Sequence, residues 1–92
     1  MQYVWNAEKA RENFRKHCVT FEEAATVFLD PLGEIHDDPS HSLGERREIL
    51  TGRSTRGRLL LVSFTEGAEF VRLISARPAN PRERRVYEEN TD

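Results

Sequence analysis

The chain is poor in the residues that carry ready-made chemistry. It has one cysteine, Cys18, among 92 residues, which rules out an internal disulfide and a cysteine-built zinc site, so a reducing environment is expected. No apolar run approaches the roughly 18 residues of a membrane helix, and none follows a basic start. Neither a span nor a secretory leader is therefore expected, and the cytoplasm is the default location. There is no G-x-S-x-G elbow, P-loop, dinucleotide fingerprint or C-x-x-C pair. Lysine is also scarce: only Lys9 and Lys16 accompany twelve arginines.

Arginine is what the chain has instead. Residues 44–85 hold ten arginines against five acids, a net charge of +5, while residues 1–43 carry −4 and residues 86–92 carry −3. Guanidinium groups suit two-pronged phosphate contacts better than ammonium groups do. A genomic preference for arginine is the plainer alternative. Hydrophobic content is only 37% and charged content 33%, but the apolar residues fall into definite runs, which argues for one folded domain over 1–92.

Along the chain, Tyr3-Val4-Trp5 reads as an edge strand or a tether onto the core. Asn6 can cap a helix from Ala7 to His17, with Ala7, Ala10 and Phe14 on one narrow apolar face. Cys18 sits where a helix often ends in glycine. Thr20 and Glu23 form a T-x-x-E capping box, with Val19 and Ala24 placed as a hydrophobic staple. Phe21, Ala24, Ala25 and Phe28 then give the clearest helical period, stopped by Asp30-Pro31-Leu32-Gly33.

Glu34 to Asp38 is a short strand expected to carry Ile35 inward, followed by a polar loop over 39–44. Further strands are expected at Arg46 to Gly52, Arg58 to Thr65 and Phe70 to Ser75, the last two joined by a tight turn. Asn80, Pro81 and Glu83 open a final helix that reaches about Glu89. The expected fold is α+β: about four strands in a mostly antiparallel sheet, with two N-terminal helices and a short C-terminal one.

Alternation places Phe70, Arg72 and Ile74 on one strand face, so Arg72 is a guanidinium among apolar side chains with Glu69 the nearest acid in sequence. Arg72, Arg77, Arg84 and Tyr87 form the best candidate set, able to hold a phosphodiester and stabilise added charge on it. The plainer reading is that Arg84 and Tyr87 only dock the helix. His17 closes the first helix and is either a proton-transfer group or a C-terminal cap. Glu45 and Glu48 read as surface ion pairs; nearness to the arginine cluster in space would make either a candidate base. His36, Asp37, Asp38 and His41 suggest a metal, but their spacing matches no metal motif and reads as a solvated acidic loop. No metal or cofactor is expected.

Several stretches in order resemble a known family. These are W-N-x-x-K-A-x-x-N-x-x-K-H at 5–17, V-T-F-E-E-A at 19–24, V-F-L-D-P at 27–31, E-R-R-E-I-L-x-G-R-S at 45–54 and R-L-I-S-A-R…R-E-R-R-x-Y-E at 72–88. Together they resemble the BrnT toxins of type II toxin–antitoxin pairs. The resemblance implies a RelE-like fold and translation arrest through RNA cleavage; the cleavage expected is metal-independent, with the RNA 2′-hydroxyl as nucleophile. It also implies a BrnA-type antitoxin that binds operator DNA, mediates dimerisation of the complex and supplies the only route of the toxin to DNA. No membrane partner is implied. Carried over by position, it puts weight on Lys9, His17, Arg72, Arg77, Arg84 and Tyr87. We expect His17, Arg72, Arg77 and Tyr87 to serve catalysis, and Lys9, Arg82, Arg84 and Arg85 to contact RNA. The family usually has glycine where this chain has Cys18. A non-catalytic toxin of the same fold that binds a protein target is the alternative, as is an arginine face that serves only to receive the antitoxin.

Overall fold

A computed structural model describes residues 1–38 and 45–91. The elements run β1 (Gln2–Val4), α1 (Ala7–His17), α2 (Phe21–Thr26), a 3-10 turn (Val27–Leu29), β2 (Glu34–Asp37), β3 (Glu48–Arg53), β4 (Leu59–Glu66), β5 (Phe70–Pro78) and α3 (Pro81–Thr91). They form one sheet of five strands in the order β1-β5-β4-β3-β2. The fifth strand is β1, which pairs parallel to β5 through Gln2–Phe70, Tyr3–Val71 and Val4–Arg72. Three residues are too few to signal a strand by periodicity, and only the pairing with β5 makes them one. The other pairings are antiparallel.

The helix starts follow the local chemistry. Asn6 accepts a bond from the Lys9 N–H at 3.0 Å, and Thr20 accepts one from Glu23 at 3.1 Å. Asn80 and Glu83 complete a reciprocal box, each backbone N–H meeting the other side chain at 2.8–2.9 Å. Cys18 takes the left-handed conformation at φ 56°, and its N–H closes the last turn on Phe14 at 2.8 Å. Glycine adopts that conformation most easily, and here a cysteine holds it.

The core lies between α2 and one face of the sheet. Val19, Phe21, Ala24 and Val27 meet Leu50, Leu60, Val62, Phe64, Val71, Leu73 and Ala76. Tyr3 and Trp5 are tethers as well as strand: Tyr3 lies 5.1 Å from Phe28, which packs on Phe64, and Trp5 is edge-on to Phe21. The second helical pattern tightens after Thr26 into the 3-10 turn instead of running on to Phe28 as α-helix.

Ile35 does not go inside as expected; it is 53% exposed. It faces the same side as its buried partner Leu50, but β2 is the outermost strand and Ile35 lies beyond the core residues of that face. Phe14 is likewise half-exposed, and the buried residue of α1 is Asn13.

The β5 strand runs three residues further than expected, so Arg77 lies within it. Its pairing with β4 steps from Ser63–Ser75 to Phe64–Leu73, which leaves Ile74 as an extra, bulged residue. Past Val4, the edge of β5 has no strand beside it. Asn13 fills that place: its Oδ1 accepts from Ala76 N–H at 2.9 Å, and its Nδ2 donates to the Ala76 and Val19 carbonyls at 2.9 and 3.0 Å.

Candidate functional site

Three polar constellations can be built from these elements. Two of them explain motif residues without any appeal to ligands. Glu23, 6% exposed, is held by Arg58 and by the Ser54 hydroxyl at 2.8 Å. Arg58 also donates to the Cys18 carbonyl at 3.1 Å, so one buried carboxylate ties the end of α1 to the β3–β4 turn. The Arg58 guanidinium holds Glu23 below the ordinary carboxylate range, against the opposing effect of burial. The expected capping box is thus half made, because this side chain is used elsewhere.

Asp30 is the second hub. Its Oδ2 accepts from Arg53 N–H and from the Tyr87 hydroxyl, both at 2.7 Å, and its Oδ1 from Leu32 N–H at 2.9 Å. Burial works to raise its pKa, yet these three bonds hold it below the ordinary value. Gly52 permits the approach, since a Cβ there would stand 3.0 Å from both Asp30 Oδ2 and Val27. Tyr87 is 6% exposed, with the Arg53 guanidinium 5.5 Å from its ring centre. Burial first, and the Asp30 carboxylate next, push the Tyr87 hydroxyl above its usual range and keep it protonated.

Arg77 belongs with this helix-fastening group. It grips Glu83 with two parallel bonds of 2.8 Å, and Glu83 is the same carboxylate that completes the α3 cap. Hydrogen bonding to Arg77 lowers the Glu83 pKa, and the Arg77 value rises for the reciprocal reason. Beside them, Arg82, Glu83, Val86 and Tyr87 line a cleft of about 220 Å³ with Glu34, His36 and Thr51. Arg84 and Arg85 are exposed further along α3.

The third constellation is open. Where α1 passes the bulged edge of β5, Asn6, Lys9, Glu45, Arg47, Arg72 and Ile74 line a groove. A second groove continues it, lined by Lys9, Glu12, Lys16, His17, Ile74 and Ser75. Lys9 and Ile74 are common to both. Arg72 pairs with Glu45, not with the neighbouring Glu69, and the two side chains are 45% and 51% exposed. A pair this open contributes less than about 1 kcal/mol and exchanges readily for another anion.

The structure thus divides the sequence-predicted set. Lys9 lines both α1–β5 grooves, Arg72 the first and His17 the second, whereas Arg77, Arg82, Arg84, Arg85 and Tyr87 go with α3. Sequence reasoning missed the presence of Asn6, Arg47 and Ser75 in the groove and the role of Asn13. The one available signal for Asn13 was a polar residue set between Ala10 and Phe14. Glu45 meets the spatial condition for a candidate base; Glu48 lines neither groove. His36 is 3.5 Å from Glu34, and His41 lies outside the described residues.

Together these elements define a small α+β protein with an open groove that carries lysine and arginine at one sheet edge. The chain belongs to the BrnT family: residues 5–83 match the family described as the ribonuclease toxin BrnT of type II toxin–antitoxin systems. The crystal structure of the Brucella abortus ribonuclease toxin BrnT is similar in fold, with a TM-score of 0.69 over 87% of this chain and 97% of that one at 20% identity. No curated protein matches the chain. Among the described residues, no helix is long and apolar enough to cross a membrane.

Proposed function

We propose that this toxin cleaves RNA in the groove between α1 and β5, and so arrests translation in the cytoplasm. The observation that carries this reading is Arg72 beside Lys9 in an open groove at a β-bulge, with His17 in the adjoining groove that shares Lys9 and Ile74. Arg72 and Lys9 orient the scissile phosphate, and the guanidinium stabilises charge that builds on its non-bridging oxygens. The RNA 2′-hydroxyl attacks phosphorus and the 5′-oxygen leaves with a proton from His17, giving a 2′,3′-cyclic phosphate without a metal ion.

Arg77 and Tyr87 fasten α3 in this reading and stay out of the chemistry, since their polar atoms are taken by Glu83 and Asp30. The exposed Arg82, Arg84 and Arg85 add outlying contacts to RNA phosphates. A BrnA-type antitoxin neutralises the toxin in a hetero-oligomer that it dimerises, and only the antitoxin touches operator DNA.

The test is purified protein with free RNA and with a translating extract, Arg72→Ala alongside, and product ends mapped. Cyclic phosphate ends from the wild type alone are expected. Ends bearing 3′-hydroxyl would overturn the internal nucleophile. Intact RNA with growth arrest would favour the protein-target alternative.

A further inference from the structure

We propose that Glu45 is the general base that takes the proton from the attacking 2′-hydroxyl, an inference that rests on the ribonuclease reading above. Glu45 is 27 positions from Arg72 in sequence, yet its Oε1 accepts a bond from Arg72 Nη2. It is the one acid lining the groove that also holds Lys9, Arg47 and Arg72. Glu12 lines the adjoining groove, but Arg15 and Lys16 both engage its carboxylate.

The form of the contact matters as much as its place. Arg72 reaches Glu45 through a single nitrogen and a single oxygen, which leaves Oε2 and the other guanidinium donors without a hydrogen-bond partner among the described residues. Three pairs among the described residues are fully engaged and unlike this: Arg77 closes both forks on Glu83, Arg58 on Glu23 and Arg15 on Glu12. An entering phosphate offers Arg72 a better two-pronged partner than one carboxylate oxygen. As Arg72 turns to the phosphate, the carboxylate is released beside it, within reach of the neighbouring ribose.

The step then balances. The O2′–H proton passes to Glu45, the O2′–P bond forms, the P–O5′ bond breaks, and O5′ takes the proton of His17. Arg72 serves two states in turn: it holds the base in the empty groove and the phosphoryl oxygens in the filled one.

The deciding experiment is single-turnover cleavage by wild type, Glu45→Gln, Glu45→Asp and Glu45→Ala, on free RNA and on messenger in a translating extract. Glu45→Gln is expected to lose about 100-fold or more in rate, the usual share of a positioned base. Its half-saturating RNA concentration should stay within about threefold, since the transition state alone is affected. Glu45→Asp should keep part of the rate. Glu45→Ala should recover with added carboxylate, and acetate, the stronger base, should restore more than formate. A Glu45→Gln rate close to wild type overturns the proposal, as does a loss that lies wholly in RNA affinity. If the wild type leaves RNA intact on both substrates, the ribonuclease reading falls and this proposal with it. If the wild type cleaves and Glu45→Gln cleaves equally, only this proposal falls.

Discussion

Arg72 and Arg77 leave the same face of β5, and each meets a glutamate, but the two pairs differ in what they leave free. Glu83 receives both forks of Arg77 and the Asn80 N–H, so that guanidinium is oriented and committed, and α3 starts where it does because of it. Glu45 meets Arg72 at one point in an open groove. An arginine count cannot separate these roles. The number of donors already engaged can.

The comparison can be broken at several places, and a third pair sets its upper limit. Arg58→Ala leaves the buried Glu23 carboxylate without its guanidinium and should lower unfolding free energy by about 3 kcal/mol in urea titrations. Arg72→Ala should reduce cleavage by about 100-fold, close to 3 kcal/mol in the transition state, while its thermal midpoint hardly moves. Asn13→Ala strands the Ala76 N–H and carbonyl and should cost about 1–3 kcal/mol, read by the same titration. Arg77→Ala sharpens the contrast from the other side: Glu83 keeps its Asn80 bond, so the loss should be about 1 kcal/mol, with cleavage within about threefold of wild type.

The acid dependence of stability follows from the same pairs. Glu23 and Glu83 both have folded-state pKa values below the ordinary 4.5. Their contribution is therefore complete above about 4.5 and is lost as pH falls below it and protons bind. Urea midpoints measured from neutral pH down to about pH 3 should fall through that window. Arg58→Ala should flatten the fall, because Glu23 then titrates closer to its unfolded value.

How much of this could be read from the sequence depended on range. The caps of α1, α2 and α3 were legible because Asn6, Thr20 and Asn80 act within three residues. The end of α1 was legible too, because the Thr20–Glu23 box opens the next helix and forces a break before it. Strand β1 was ambiguous, because three residues carry no period and only Phe70–Arg72 make them a strand. Ile35 misled because alternation gives the face and not what covers it. At the site, Lys9 and Arg72 line one groove, and Lys9 and His17 the adjoining one. What the sequence could not reveal is that Asp30 claims Tyr87 across 57 positions and that Glu45 crosses the sheet to Arg72.

The Asn13 amide has one more consequence, for how the molecule behaves in a crowd. The outer strands of the sheet are its shortest, three residues in β1 and four in β2, while the eight of β4 and nine of β5 lie inside. Where β5 outruns β1, its backbone would stand open as a template for another chain, and a side-chain amide occupies that rung instead. Asn13 thus acts as a doorstop against edge-to-edge association. Its removal should bring concentration-dependent clumping as well as lower stability.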